Sequence, residues 1–175
     1  MPNWRILEGD CTIRLRELEQ LSIQTVVTSP PYWGLRDYSV EGQLGLESTP
    51  EEYVSKMVEV FREVRRVLRD DGTVWLNMGD SYNAQQGKGW RPDASSGKFR
   101  DADEGVVRDL RGSGIKPKDL VGIPWRLALA LQADGWYLRS DIIWSKPNPM
   151  PESVTDRPTK AHEYVFLLTL SLIHI

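Results

Sequence analysis

The chain has 175 residues, of which 40% are hydrophobic and 27% are charged, and its formal net charge is −3. This length allows one domain with a sizeable core. The negative charge argues against a strongly basic nucleic-acid binder, although a local basic patch remains open. Cys11 is the single cysteine, which excludes an internal disulfide, and with His162 and His174 it is too little for a zinc site. No apolar run reaches membrane-spanning length and no signal-peptide pattern is present, so we expect a cytoplasmic protein with no membrane partner and no metal.

The first part of the chain predicts two strands around a helix. Residues 4–8 form a short predicted strand, and a stripe of isoleucine and leucine predicts a helix over residues 11–21. Residues 25–28 are β-branched throughout, which predicts a short buried strand. That strand must stop before Pro30 and Pro31, because proline cannot donate a hydrogen bond to a β-ladder.

A second helix is predicted to begin at Pro50. Thr49 and Glu52 form a capping box around this proline, which takes the first helical position. Apolar residues then recur three and four apart, at Tyr53, Met57, Val60, Phe61, Val64, Val67 and Leu68. Gly72 is predicted to end the helix as its C-cap, and residues 73–78 form the next predicted strand.

Residues 83–119 are rich in glycine, serine and charged residues and show little periodicity. We therefore predict a long flexible loop over about these residues. Its basic and acidic residues are mixed along the segment. Both a solvated insertion and a loop that contacts nucleic acid remain open as interpretations.

Regular structure is predicted to return at Pro124. Residues 125–133 are apolar nearly all round, which predicts a deeply buried helix that ends at Gly135. Residues 137–144 and 163–169 form two further predicted strands. Strands that alternate with helices predict an α/β fold with a mainly parallel sheet.

Four of the predicted strands are each followed by a cluster of polar residues, glycines or prolines. These clusters are Gly9-Asp10, Ser29-Pro30-Pro31-Tyr32, Gly79-Asp80-Ser81 and Lys146-Pro147-Asn148. In open α/β sheets, ligands bind beyond the carboxyl ends of the strands. The clusters therefore predict a ligand or active site at that edge of the sheet.

One of these clusters, Ser29-Pro30-Pro31-Tyr32, resembles the catalytic motif of S-adenosylmethionine-dependent methyltransferases that modify exocyclic amines of DNA bases. Residues 7–11, 79–80 and 144–152 also resemble this N4-cytosine and N6-adenine family, in the order of its permuted arrangement, where the catalytic motif comes first. The resemblance covers residues 4–169. It implies a three-layer, Rossmann-like sheet, S-adenosyl-L-methionine as cofactor and double-stranded DNA as partner.

For catalysis, the resemblance implies roles for Ser29, Pro30, Pro31 and Tyr32. An exocyclic amine is a poor nucleophile because its lone pair is delocalised into the base ring. The Ser29 oxygen and a backbone carbonyl near Pro30 would accept its two N–H bonds and free the lone pair, as fixed acceptors do in electrostatic catalysis. The prolines hold the loop rigid, and Tyr32 offers a face to an extruded base. The alternative is a plain strand-ending turn with a core tyrosine.

The resemblance also implies binding roles. Cofactor contacts are expected from Asp10, Ser29 and Asp80, and base or DNA contacts from Trp33, Lys146 and Asn148. From position alone, Asp10 is as readily a helix N-cap and Asp80 a turn residue, while Lys146 and Asn148 fit a solvated turn.

Members of this family hold the cofactor with a glycine-rich turn of the Phe-x-Gly-x-Gly type, which this sequence lacks. We therefore expect residues 1–169 to be a partial catalytic domain, truncated at its C-terminus, with an incomplete sheet that exposes an unpaired edge. Residues 170–175 do not resemble the family's continuation. Codons can be chosen so that this hexapeptide reads through a transposon-adapter end, and our hypothesis is that it is an artefactual tail.

Serine at the first motif position resembles the cytosine-N4 subgroup, and adenine-N6 remains the alternative because aspartate is commoner there. Two other interpretations stay open: a non-catalytic DNA-binding fragment that uses the 83–119 loop, and an RNA methyltransferase. Oligomeric state is also open, a homodimer included, as is membership of a restriction system or a phage.

Overall fold

The computed structural model describes residues 4–83, 114–149, 152 and 154–172. Most of the loop predicted over residues 83–119 therefore lies outside the described residues. The described residues form three helices and four strands, in the order α1 (Cys11–Arg16), β1 (Ile23–Thr28), α2 (Pro50–Val67), β2 (Leu68–Met78), α3 (Ile123–Ala133), β3 (Tyr137–Ser145) and β4 (His162–Thr169). No helix among them is long and apolar enough to cross a bilayer.

The four strands form one mixed sheet in the order β1-β2-β4-β3. β1 pairs with β2 in parallel, whereas β4 is antiparallel to both β2 and β3. The prediction of a mainly parallel sheet is therefore wrong for two of the three pairings. A parallel return needs a long crossover, usually a helix, and residues 146–161, between β3 and β4, contain four prolines and, where described, no helix.

Thr49 caps α2 as predicted, with Glu52 accepting from the N–H of Ser48 instead of that of Thr49, but the predicted end of this helix is wrong. The Thr49 side chain accepts from the Glu52 N–H at 3.1 Å, and Glu52 accepts from the Ser48 N–H at 3.0 Å. The helix passes directly into β2 at Leu68, and Gly72 lies within that strand, where the register with β1 shifts. A Cβ on Gly72 would lie 2.7 Å from the Leu68 Cγ atom, so this close approach, rather than a cap, requires glycine.

The core lies between α2, α3 and one face of the sheet. The side chains that build it are fully buried and include Tyr53, Met57, Phe61, Leu76, Met78, Leu127, Leu131, Phe166 and Leu168. The alternate residues of β2, Thr73, Trp75 and Asn77, are only half-buried. Among the described residues, that opposite face of β2 is thus less covered than the core face.

The structure corrects four predictions about the periphery. Residues 4–8 lie outside every strand and are exposed, and α1 ends at Arg16 rather than at residue 21. β1 is an edge strand and not a buried one, since its Val27 side chain is 79% exposed. α3 buries only one face, and Leu129 on its other face is 53% exposed.

Candidate active site

Four chain segments meet at the carboxyl edge of the sheet. Ser29 follows β1, Gly79 follows β2 and Lys146 follows β3. Because β4 runs in the opposite direction, its amino end lies at the same edge and brings Glu163 there. The predicted strand ends therefore do converge, and they are joined by a carboxylate that the sequence analysis treated only as part of a strand.

The hydroxyl of Tyr32 is the centre of a hydrogen-bond network at this edge. It donates to the Glu163 carboxylate at 3.0 Å and accepts from the Ser29 hydroxyl at 3.2 Å. The Asn77 amide donates to the Tyr32 hydroxyl and to the same Glu163 oxygen, both at 3.0 Å. The motif serine is thus tied to the two central strands through the motif tyrosine.

Charges at the far end of this network keep Glu163 ionised. Burial alone would raise the pKa of Glu163, but hydrogen bonds from Lys146, Asn77 and Tyr32 outweigh it and hold that pKa below its ordinary value. Lys146 also forms an ion pair with Glu163. The pKa of Tyr32 is raised, chiefly by burial and further by the Glu163 carboxylate, although the Ser29 hydrogen bond lowers it. Tyr32 is therefore a neutral donor at ordinary pH.

The position of the motif loop is set by glycine and aromatic contacts. A Cβ on Gly79 would lie 2.5 Å from the Tyr32 Cε2 atom, so only glycine lets the ring pack here. The Tyr53 hydroxyl donates to the Pro31 carbonyl at 2.9 Å. The Trp33 indole donates to the Glu47 carbonyl at 3.0 Å, and its side chain is 3% exposed. Trp33 is thus a core anchor, and its expected contact with a base or DNA is corrected.

Two open cavities flank this network. The larger has a volume of about 490 Å³ and is lined by the whole Ser29–Tyr32 motif and by Arg36 among others. The smaller, of about 280 Å³, is lined by Asp80, Lys146 and Lys160 among others. Tyr32 and Glu163 line both cavities, so the network forms the wall between them.

Comparison with known proteins places this chain in a family. The family model described as "DNA methylase" matches residues 23–171, which include all four strands and the whole network. The chain belongs to the DNA methylase family. Two curated relatives are the type II methyltransferases M.Cfr9I of Citrobacter freundii, 54% identical, and M.XycI of Xanthomonas campestris pv. cyanopsidis, 55% identical. Each match covers 95% of this chain and 54% of the relative, so the chain spans about half the length of these relatives.

Solved structures of methyltransferases share the fold of this DNA methylase chain. The PvuII DNA methyltransferase (cytosine-N4-specific) matches with a TM-score of 0.60 at 18% identity, over 93% of this chain and 48% of that one. The putative DNA modification methylase TTHA0409 of Thermus thermophilus, in complex with S-adenosyl-L-methionine, matches with a TM-score of 0.58 at 21% identity, over 92% and 51% of the two chains. The predicted α/β, Rossmann-like methyltransferase fold is therefore confirmed.

In the DNA methylase chain, Asp80 caps the loop that starts α3. Its Oδ1 atom accepts hydrogen bonds from the N–H groups of Ser81, Gly122 and Ile123, at 2.9–3.1 Å. Burial raises the pKa of Asp80, and these backbone bonds and the charge of Lys160 only partly offset that effect. Asp80 therefore has a structural role in addition to lining the smaller cavity.

The structure does not bring together the remaining residues that were predicted to contact the cofactor or DNA, which are Asp10, Lys146 and Asn148. Asp10 caps α1 by accepting from the N–H groups of Thr12 and Ile13 and lines neither cavity of this edge. Lys146 lines the smaller cavity, whereas Asn148 is exposed beyond it. No group of three or more potential metal ligands is found among the residues that the structure describes.

Sequence analysis missed two residues of the network, Asn77 and Glu163. Each carries a signal in the sequence, since Asn77 directly follows the apolar run 74–76 and Glu163 directly precedes the apolar run 164–168. The buried Oδ1 atom of Asn77 has no hydrogen-bond partner among the described residues. Buried polar atoms are rarely left unpaired without a reason, so Asn77 is a candidate for contact with a ligand.

Proposed function

We propose that the protein containing this chain transfers a methyl group from S-adenosyl-L-methionine to the exocyclic N4 of cytosine in double-stranded DNA. The observation that carries this proposal is Ser29, which opens the Ser-Pro-Pro-Tyr motif at the carboxyl end of β1 and lines the larger cavity. The similarity to type II methyltransferases supports the proposal and suggests a restriction-modification role in the cytoplasm.

The proposed chemistry uses acceptors of the motif loop. Ser29 and a backbone carbonyl accept the two N–H bonds of the target amine, which localises its lone pair for attack on the methyl group. The Pro31 carbonyl already accepts a hydrogen bond from Tyr53. The Pro30 carbonyl is therefore the backbone acceptor that we assign to the amine.

The base must leave the duplex to reach Ser29, because an amine inside a stacked helix is not accessible to the loop. Tyr32 lines the larger cavity and would stack on the extruded base, a contribution of about 1–3 kcal/mol. The ring is already fixed by Gly79 and the hydrogen-bond network, so stacking requires little additional ordering. Lys146 and Asn148 are the side chains we propose to contact the DNA beside the base.

The described residues fit the cofactor in part. S-adenosyl-L-methionine supplies an electrophilic methyl group on a sulfonium. Ser29 borders an open cavity of about 490 Å³. The three hydrogen bonds that Asp80 accepts from described residues all go to Oδ1, and its Oδ2 atom is the one that we propose for binding. Asp10, which lines neither cavity, is kept as a proposed contact on the resemblance alone.

The experiment that tests this function identifies the methylated base. DNA incubated with the full-length protein and S-adenosyl-L-methionine is digested to nucleosides and analysed by mass spectrometry. N4-methylcytosine is the expected product. N6-methyladenine would support the alternative adenine specificity, and unmodified DNA would contradict both.

An alternative of another class is a non-catalytic DNA-binding fragment. Under this alternative, Ser29→Ala would leave DNA binding and every cellular effect intact, whereas methyl transfer would be lost if the proposal is correct. Most of the charged loop on which the alternative depends lies outside the described residues. We also expect the 175-residue chain alone to show little or no methyl transfer, because its sequence lacks the glycine-rich cofactor turn. A radiolabelled-methyl assay with the full-length protein as positive control tests this.

A further inference from the structure

The hydrogen bonds that start at Ser29 run in one direction only. Glu163 is held ionised, so its carboxylate can only accept hydrogen bonds. Tyr32 has a single hydroxyl hydrogen, and it donates that hydrogen to the Glu163 Oε2 atom. The hydrogen between Ser29 and Tyr32 must then belong to Ser29. The series is therefore Ser29 to Tyr32 to Glu163, with the carboxylate as the terminal acceptor.

Asn77 reinforces this direction. Its amide nitrogen donates both to the Tyr32 hydroxyl and to the Glu163 carboxylate. If the amide were turned around, its oxygen would face a carboxylate oxygen and two acceptors would meet. Glu163 thus sets the orientation of the Asn77 amide as well as that of the Tyr32 hydroxyl.

We propose that Glu163 is a positioning residue that acts through Tyr32 to turn the Ser29 hydroxyl hydrogen away from the cleft, so that Ser29 presents only lone pairs to the substrate amine. This inference rests on the proposed function, since it concerns the amine acceptor. A serine hydroxyl can donate as well as accept. A hydrogen directed at the amine nitrogen would bind the lone pair that has to attack the methyl group. Serine therefore needs a fixed direction, whereas a carboxylate at the same position would carry no hydrogen.

Glu163→Gln is the variant that isolates this effect, because glutamine has nearly the same size and shape. Lys146 needs an acceptor at the Oε1 position and would orient the new amide with its oxygen there. The amide nitrogen would then occupy the position of Oε2, facing Tyr32 and Asn77. The Tyr32 hydroxyl would then face a donor and would no longer have an acceptor for its hydrogen at that position. The direction of the Ser29 hydroxyl hydrogen would therefore no longer be fixed.

The test measures single-turnover methyl transfer by the full-length protein, together with its DNA dissociation constant. We expect Glu163→Gln to lower the rate constant about tenfold or more with an unchanged dissociation constant, since orientation affects the reaction and not binding. Glu163→Asp, which keeps an acceptor-only group, should retain more activity than Glu163→Gln. Arg62→Gln, which removes the ion pair between the exposed Arg62 side chain of α2 and the less exposed Asp134, lies outside the proposed site; it is the matched control and should keep the wild-type rate.

A double-mutant cycle separates this role from general stabilisation. Tyr32→Phe keeps the ring but interrupts the series, so Glu163→Gln should cost little further activity in that background. Fully additive losses, a loss confined to DNA affinity, or a Glu163→Gln rate within about twofold of wild type would each overturn the inference.

Neutron diffraction from deuterated crystals of the full-length protein gives a readout that does not depend on activity. We expect the Ser29 deuterium to point to Tyr32, and that of Tyr32 to point to Glu163. A Ser29 deuterium directed into the cleft would overturn the inference even if the wild-type protein methylates DNA. Conversely, a wild-type protein that methylates no base would contradict the proposed function, while the observed deuterium positions would still decide the direction of the series.

Discussion

The central side of the sheet, formed by β2 and β4, and its other side, formed by β1 and α1, differ sharply in how well their side chains are packed. On the central side, Leu76 of β2 and Phe166 of β4 are completely buried under α2 and α3. On the other side, Val27 of β1 and Ile13 of α1 expose most of their apolar surface. The motif loop leaves from the exposed strand, yet its tyrosine is bonded to Asn77 and Glu163 on the central strands. The motif loop is thus connected to the exposed edge strand β1, but its orientation is set by hydrogen bonds to the well-packed central strands β2 and β4.

The largest expected effect compares the two sides directly. Phe166→Ala should lower the free energy of unfolding by about 3–5 kcal/mol, because it removes a large side chain from a close-packed core. Val27→Ala should change it by less than about 0.5 kcal/mol, because that side chain is already in solvent. Urea unfolding followed by circular dichroism measures both, and similar costs for the two variants would contradict the contrast.

Gly79→Ala tests how the centre orients the site. The added methyl group would overlap the Tyr32 ring, so we expect a loss of about 1–3 kcal/mol in unfolding free energy together with a loss of methyl transfer. Placing Gly79→Ala in a Tyr32→Ala background is the control. The methyl group should then cost much less stability, and an equal cost in both backgrounds would show that the ring contact is not responsible.

Sequence patterns predicted where helices and strands form better than they predicted how deeply those elements are buried. The capping box and the apolar spacing of α2 are local signals, and the helix begins where they predict. The β-branched run of β1 predicted a buried strand, but burial depends on neighbours that no local pattern describes. The same limit explains α3, whose apolar Leu129 faces solvent.

The direction of β4 decided how much of the site could be predicted. Ser29, Asp80 and Lys146 follow strands that run the same way, and the rule about carboxyl ends was enough to group them. Glu163 reaches that edge only because β4 runs backwards. The prolines between β3 and β4 exclude a crossover helix, so this reversal could have been inferred, but the pairing partner of Glu163 could not. Trp33 shows the opposite error, since its place beside the motif predicted a contact although its side chain is in the core.

A smaller effect is expected from the charge of Glu163. Its pKa in the folded protein is lowered, mainly by Lys146, Asn77 and Tyr32 acting against burial. Stability from this shift is present above the ordinary pKa of about 4.5 and is lost as the pH falls through the folded value. Wild-type urea midpoints should therefore decrease below about pH 4.5 more than those of Glu163→Gln. If the urea midpoints of the two proteins changed equally with pH, the ionised Glu163 carboxylate would not be a source of stability.

The smallest effect on stability is expected at the exposed edge, where a different property should change. Among the described residues, β1 has a strand neighbour on one side only, and Val27 exposes 79% of its surface. A lysine on such an edge discourages pairing with another chain. Val27→Lys should therefore shift unfolding by less than about 0.5 kcal/mol yet reduce self-association in sedimentation velocity. Gln20→Lys adds the same charge to an exposed turn outside the strand. If Gln20→Lys reduced self-association as much as Val27→Lys, the added charge and not the open edge would be the cause. The two sides of the sheet would then differ in packing alone.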